Sequence, residues 1–563
     1  MKIFSLTCNE LFKQFKKTSI KVIIPLILIA AIILPIAFSK IENTSTERSY
    51  EESNKYILEQ AEARINELKS DKTPGAAVAK GIAEAEKEAF QLNVDYKIGG
   101  NDDWRDIEAT EYRLVLVELA AIEQIIAGVK SEVLLENIFG VDPKMVATYY
   151  EMTIDKQKEA QAKLIAKRDE IKNIIVNNDY MKSISNQIKR KEGLITEYKK
   201  STTEYEKLAA KNPQDEAGKA ALEEVKKLME EDKKQISLVE QDIAILKFRY
   251  DNKIDYGKTN WKNKSIVNIQ EILTEYRITM MTEKEFNSNA PRQGISMSYD
   301  NYVANYKAIN AERAARIKEL WYGLEKDIPD LNAIKDARSV VDSSYEVFVI
   351  LSVLIIIIIA GGIVSTEFSN GTIRLLLIRP VARWKVLLSK LLAVVLVGIG
   401  VVVVSITLLV ISSGVVFGFE TLRTPIIQTV SGSIIEVSYI RYMIPQLSVS
   451  MTSLVFITSL VFAISTLAKN TALAVAISML LYLGALPITM VLVSSLKQVW
   501  VLNSLIPYMN NSIFKFSPYV LQSIQEQFGA GLNPSMGIPQ LLIVSLVLLV
   551  ITFVTFIKKD IKN

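Results

Sequence analysis

The chain has 563 residues, with 66 lysines and arginines, 62 aspartates and glutamates, one cysteine and no histidine. A disulfide within one chain is therefore impossible, and the lack of histidine argues against zinc and copper sites. Histidine acid–base catalysis is excluded and Cys8 has no histidine partner, so the composition argues against an enzyme.

Charge divides the sequence into two kinds of segment. Residues 40–342 carry 48 basic and 55 acidic side chains, whereas the remainder carries 18 basic and 7 acidic ones and is strongly apolar. The length also exceeds what one soluble core accommodates. The pattern predicts a soluble, acidic insert within a basic membrane protein.

Six segments are long and apolar enough to cross a bilayer, which takes roughly 20 residues. The first, at 22–39, is not followed by a small-residue cleavage site, and we interpret it as a retained anchor rather than a signal peptide. The sequence therefore predicts an all-α membrane protein, with one span, a large helical domain at 40–344, and five spans within 345–563. The later spans are expected at about 346–365, 389–416, 446–467, 472–493 and 540–557.

Loop charge predicts the orientation of these spans. Lysines and arginines occur in residues 1–21, in the 366–390 loop, in the 468–471 link and at the C-terminus, whereas the other short loops are nearly neutral. Both termini are therefore expected in the cytoplasm of a bacterial plasma membrane, and residues 40–344 outside the cell. Residues 1–21 interleave phenylalanine and leucine with lysine, which favours an interfacial helix over a plain basic leader.

The predicted extracellular domain is rich in Glu, Lys, Ala and Leu, and is expected to be helical. Heptad spacing over about 180–250 predicts an antiparallel coiled-coil hairpin, with Lys191, Thr202 and Asp232 in its seam. Asn212-Pro213 predicts the start of its second helix. Two interpretations of the domain stay open: a solvated helical bundle without a ligand, or a docking surface or guard over the exit.

A short basic stretch between the second and third predicted spans is the most informative part of the chain. Residues 372–377 predict one or two amphipathic helical turns, which end before Pro380 because the residue preceding a proline leaves the helical region. Arg383, Lys385 and Lys390 are expected at the inner lipid headgroups. The stretch contains Glu367, Gly371, Thr372, Arg374, Pro380, Arg383 and Lys390.

This pattern resembles the cytoplasmic loop of ABC-2-type permeases, the membrane subunits of ATP-driven ABC exporters. The resemblance covers the N-terminal helix, the first span and residues 345–563, including an outer re-entrant segment at 494–539. It implies a coupling helix that docks on a separate ATP-binding subunit. The residues that it assigns to coupling are Glu367, Gly371, Thr372, Ile373, Arg374, Pro380 and Arg383.

The resemblance also implies a homodimer or heterodimer of permeases in the bilayer, with ATP and magnesium bound by the partner subunit. Gly257-Lys258-Thr259 lacks the first glycine of a phosphate-binding loop, so no cofactor is expected in this chain, and no metal or nucleic acid either. Spans with few charges favour an amphipathic, lipid-like or antimicrobial-peptide substrate. The alternative is a non-transporting scaffold, or a secretion or phage-receptor-like protein with a long helical ectodomain.

Overall fold

The chain divides into two units in a computed structural model. One unit comprises Met1–Ile41 with Thr274–Asn563, and the other comprises Glu42–Leu273. Residues 274–344, which the sequence places in the extracellular domain, are thus grouped with the membrane-spanning helices. The structure describes residues 2–40, 45–99, 103–138, 143–209, 216–257, 260–276, 280–293, 298–372, 381–492, 496, 498–510 and 534–558.

The described residues are mostly helical, with one small sheet. The sheet pairs β1, Ile426–Val430, with β2, Ser433–Val437. The helices are α1 Lys2–Lys16, α2 Thr18–Lys40, α3 Ser45–Leu68, α4 Pro74–Asp95, α5 Arg105–Ile126, α6 Ser131–Asn137, α7 Pro143–Glu151, α8 Ile154–Val176, α9 Tyr180–Ala209, α10 Glu216–Asp251, α11 Trp261–Tyr276, α12 Glu283–Gln293, α13 Tyr299–Lys326, α14 Ala337–Ile363, α15 Ser365–Ser369, α16 Arg383–Phe417, α17 Tyr439–Ala468, α18 Thr471–Met490 and α19 Pro534–Lys558.

Six helical segments among the described residues are long and apolar enough to cross a membrane, as the sequence predicts. They are α2, α14 continued by α15, α16, α17, α18 and the greater part of α19. Several begin before the apolar run does. Helix α14 starts at Ala337 because the Asp336 carboxylate accepts a hydrogen bond from the Ser339 backbone, while the Ser339 hydroxyl accepts one from the Asp336 backbone. This capping box extends the helix beyond the hydrophobic segment that the sequence marks.

We call the unit that contains the six spans, Met1–Ile41 with Thr274–Asn563, the membrane unit. Helices α14 and α17 form its centre, because most of their apolar side chains are buried by the other spans. In α14 the isoleucine-rich run at 355–359 is buried on every side, which is typical of a central helix. Gly361 allows α14 to approach α18 closely, since a Cβ at this position would lie 2.5 Å from Cγ2 of Val475. Small residues permit this kind of close contact between membrane helices.

The β1–β2 hairpin lies at the end of the membrane unit where α14 begins. Its two-residue turn is Ser431-Gly432, and both residues have positive φ, as a type I′ turn requires. Helix α13 supports the hairpin, because Glu319 accepts a hydrogen bond from the Thr429 backbone at 2.7 Å and also pairs with Arg316.

Arg338 is buried beneath this hairpin. Its guanidinium is fully buried and contacts the Asp336 carboxylate at 2.8 Å. It also donates hydrogen bonds to the backbone carbonyls of Pro329, Thr424 and Pro425 at 3.0–3.2 Å. One side chain therefore joins the segment before α14, the first turn of α14 and the segment that leads into β1.

The second unit has its own core, formed by apolar side chains of α4, α5 and α8. Helices α9 and α10 lie antiparallel over the residues in which the heptads predict a hairpin. Lys191 contacts Asp242 at 2.7 Å, and Ser201 donates a hydrogen bond to Asp232. Lys191 and Asp232 thus have partners across the seam, which is how polar groups fix the register of two helices, whereas the Thr202 hydroxyl bonds to the Tyr198 carbonyl of its own helix. The predicted helix start at 212–213 lies outside the described residues.

A buried polar cluster ties α9 to α5. The Glu108 carboxylate is fully buried and accepts hydrogen bonds from Ser183 at 2.7 Å and from Arg190 at 3.0 Å. Burial of a carboxylate is tolerated only when it is paired and hydrogen-bonded. The cluster therefore fixes the position of α9 against α5.

Candidate functional site

Five segments of the membrane unit meet at one end of its helix bundle. Ser365 of α15 lies 2.6 Å from the Thr471 hydroxyl at the start of α18, and Arg383 donates a hydrogen bond to the carbonyl of Ile557 near the end of α19. Helix α1 joins them through an ion pair to α16. Because Lys13, Lys390 and Lys469 also lie here, we call this the basic end of the bundle.

The connection from α15 to α16 begins with a sharp turn at the basic end. Helix α15 ends at Ser369, and Gly371 follows with a φ of 69°, a left-handed conformation that glycine adopts without strain. A Cβ at Gly371 would meet no atom of the described residues within 4 Å, so the backbone conformation by itself favours glycine here. The Thr372 hydroxyl bonds back to the Glu367 carbonyl at 3.4 Å and closes the turn.

Four charged side chains form a closed cluster where α1, α15 and α16 meet. The ammonium group of Lys390 lies 2.6 Å from Oε1 of Glu367 and 3.0 Å from Oε2 of Glu10. Lys13 contacts the same two acids, at 2.8 Å from Glu10 and 3.6 Å from Glu367. Two positive and two negative groups therefore alternate, and we call this set the four-charge cluster.

Three side chains of the four-charge cluster are largely shielded from solvent, whereas that of Lys13 is 54% exposed. The Lys390 side chain is only 2% exposed and that of Glu10 only 8%. Burial alone would raise the pKa of Glu10, but the field of Lys390 and hydrogen bonds from Lys13 and Lys390 outweigh it and lower the pKa. Burial would likewise lower the pKa of Lys13, yet its hydrogen bond to Glu10 and the charges of both acids raise it. Both shifts favour the charged forms of Glu10 and Lys13.

Polar atoms beside the cluster are not fully satisfied. Oε2 of Glu367 and Oε1 of Gln14 are buried without a hydrogen-bond partner in the described part of the chain. A buried ion pair gains stability only when its geometry and remaining hydrogen bonds are good, because removing charges from water is costly. The cluster therefore specifies a position for α1 more than it stabilises the fold.

Helix α1 turns its polar stripe toward the protein and its aromatic stripe away from it. Thr7, Glu10 and Gln14 are buried against the bundle, whereas Phe4 is 77% and Phe12 is 70% exposed. A helix on a water-soluble surface has the opposite arrangement. The outward aromatic face fits an apolar surrounding, as at a membrane interface, where a helix of this kind lies along the surface.

The structure describes part of the predicted coupling set. Glu367 lies in the four-charge cluster, Gly371 and Thr372 form the turn after α15, and Arg383 holds the start of α16 against Ile557. The sequence places Lys390 at the lipid headgroups, and this is wrong: it lies two turns into α16 and is buried by its two acidic partners. Of the predicted set, Ile373, Arg374 and Pro380 lie outside the described residues.

Sequence reasoning did not select Glu10 or Lys13. One signal was present, since Glu10 is the only acidic residue before Glu42 and interrupts a segment that is otherwise basic. An isolated acid in such a segment indicates a specific basic partner. The partner itself, Lys390, is 380 residues away, and no local pattern connects the two.

Comparisons with known proteins cover the membrane unit from its second span onward. Residues 327–562 match a family described as protein of unknown function (DUF2705). A relative in Bacillus subtilis (strain 168), described as uncharacterized protein YhcI, is 28% identical over 251 residues, which is 43% of this chain and 74% of the relative. No solved structure matches the chain significantly. The family match includes Glu367, Arg383 and Lys390 but not α1, so the two halves of the four-charge cluster come from different parts of the chain.

Proposed function

We propose that this chain is the membrane subunit of an ATP-driven ABC exporter, with ATP hydrolysis on a separate subunit that docks at the basic end. The observation that supports this proposal is that residues at both ends of the α15–α16 connection bond to other helices of the bundle. Glu367 holds its first side to α1 and α16, and Arg383 holds its second side to α19. Because both ends are bonded to helices, a displacement of the connection by a partner moves those helices too.

The interior of the bundle supports an amphipathic, lipid-like or antimicrobial-peptide cargo. The hydroxyls of α17 mostly bond within their own helix, for example Thr458 to the Leu454 carbonyl at 2.6 Å and Thr466 to the Phe462 carbonyl at 2.8 Å. Hydroxyls that are satisfied in this way leave few free polar groups among the spans, which fits an apolar rather than an ionic cargo. A dimer of two such subunits, alike or different, would enclose the path in the plasma membrane.

Isolation of the tagged full-length chain from its native membranes tests the proposal directly. We expect an ATP-binding subunit to copurify, and ATP hydrolysis by the complex to rise when amphipathic peptides are added. An untagged strain controls for nonspecific capture, and inactivation of the captured ATPase should abolish export. A chain that is recovered intact, with no ATP-hydrolysing partner, would favour the alternative of a non-transporting scaffold with a long helical ectodomain.

The proposal also predicts on which side of the membrane two exposed residues, Lys226 and Asn370, lie. In a Cys8→Ser background, we introduce a cysteine at Lys226, which is exposed on α10, or at Asn370, which is exposed after α15. An impermeant maleimide should label the Lys226→Cys protein on intact cells, and the Asn370→Cys protein only after permeabilisation, because basic loops stay in the cytoplasm. The reverse pattern would place the basic end outside and exclude a cytoplasmic ATPase as its partner.

A further inference from the structure

The four-charge cluster is the main polar attachment of α1 to the rest of the membrane unit. The other buried polar side chains of α1 bond elsewhere or not at all: the Thr7 hydroxyl donates to the Ile3 carbonyl of its own helix, and Oε1 of Gln14 has no partner among the described residues. Leu11 adds a partly buried apolar contact. The position of α1 therefore depends strongly on Glu10 and Lys13.

An attachment made of buried charges has two accessible states. When α1 is docked, Glu10, Glu367 and Lys390 attract one another in a poorly hydrated site with Lys13 at its exposed edge, and when α1 is released, the three buried groups regain their hydration. For a buried ion pair, the free energy of attraction and the free energy of hydration nearly cancel. A modest force or a single charge change can therefore shift the equilibrium between docked and released α1. Apolar packing over the same area lacks this property, because releasing it only exposes apolar surface to water.

We propose that the four-charge cluster is a latch between α1 and the start of the α15–α16 connection, and that Glu10 and Lys13 are positioning residues for that connection. Glu367 is the shared element, since it belongs to the cluster and lies four residues before the turn at Gly371. A displacement of the connection changes the distances from Glu367 to Lys13 and Lys390, and it therefore moves α1 along the membrane surface or releases it.

The docking of α1 is a property of this chain alone, whereas its effect on ATP-driven export rests on the proposed function. The two parts are tested separately. Cys8 lies on α1, is half-buried and is the only cysteine in the chain, so its reaction with N-ethylmaleimide in native membranes reports on docking without any engineered label.

The variants Glu10→Gln and Lys390→Met each remove one charge with little change in shape. We expect each to speed the reaction of Cys8 by about tenfold, because the three charges that remain no longer balance in a largely buried site. Combining both changes should give a rate no higher than that of the faster single variant, because the two residues act through one contact. Glu10→Asp keeps the charge and should stay near the parent rate.

Lys16→Met is the matched control, since Lys16 is an exposed lysine on the same helix outside the four-charge cluster. It should react at the parent rate. Parent rates in both single variants, or single effects that multiply in the double variant, would overturn the latch.

The second arm measures ATP hydrolysis by the purified complex with and without peptide. A positioning role predicts that Glu10→Gln lowers the stimulation by peptide and leaves the unstimulated rate unchanged. Faster reaction of Cys8 with full stimulation would overturn the positioning role and leave only a docking contact. If the parent chain has no ATPase partner, the proposed function fails, while the Cys8 result still decides whether the latch exists.

Discussion

Replacing Arg338 with methionine should be among the most destabilising single substitutions in the membrane unit. The guanidinium is fully buried and serves the Asp336 carboxylate and three backbone carbonyls. Methionine fills a similar volume but leaves all four acceptors without this donor, and the buried Asp336 carboxylate keeps its helix-cap hydrogen bond but loses its cationic partner. Loss of one partner from such a site costs about 3–5 kcal/mol.

The measurement is the fraction of detergent-solubilised protein that stays monodisperse after heating. Arg338→Lys keeps the charge but loses the planar fork of donors, so it should fall between the parent and Arg338→Met. Arg423→Met is the matched control, because Arg423 is exposed and immediately precedes Thr424. Equal heat resistance in the parent and Arg338→Met would show that the hairpin and α14 are held together by other contacts.

Replacing Gly371 with valine should uncouple the connection from the helices while the protein still folds. Gly371 has a φ of 69°, and a β-branched residue at positive φ is a genuine outlier. Strain of this kind costs about 1–3 kcal/mol, and the chain relieves it by changing the direction in which the connection leaves α15. Because no atom of the described part of the chain lies within 4 Å of the added Cβ, we expect an effect of backbone conformation rather than of a clash.

Gly371→Asn is the matched control for Gly371→Val, because asparagine adopts left-handed backbone conformations far more readily than valine does. Under the proposed function, Gly371→Val should abolish most peptide-stimulated ATP hydrolysis and Gly371→Asn should retain most of it. Arg374→Glu, which reverses a charge in the predicted coupling set, should resemble Gly371→Val. Equal stimulation in all three variants and the parent would remove the connection from the coupling pathway.

Local sequence signals predict the long helices of this protein but not the β1–β2 hairpin. Apolar runs of bilayer length predict the six spans, and the heptads over 180–250 lie where α9 and α10 pack antiparallel. Such patterns are reliable because the backbone geometry of one helix decides which of its residues share a face. The turn after α15 also has a local signal, since a glycine just after an apolar helix is a helix-stop signal, here Gly371.

The tertiary structure alone decided how the charged residues are used. Lys385 and Lys390 belong to the same basic stretch of the sequence, yet Lys390 is buried because α1 brings Glu10 to it from 380 residues away. Arg338 likewise resembles an ordinary basic residue before a span until the segment before β1 supplies its carbonyl acceptors. Helix periodicity assigns a face to each side chain, but the free energy of a buried charge depends on groups that only long-range packing brings within hydrogen-bond distance.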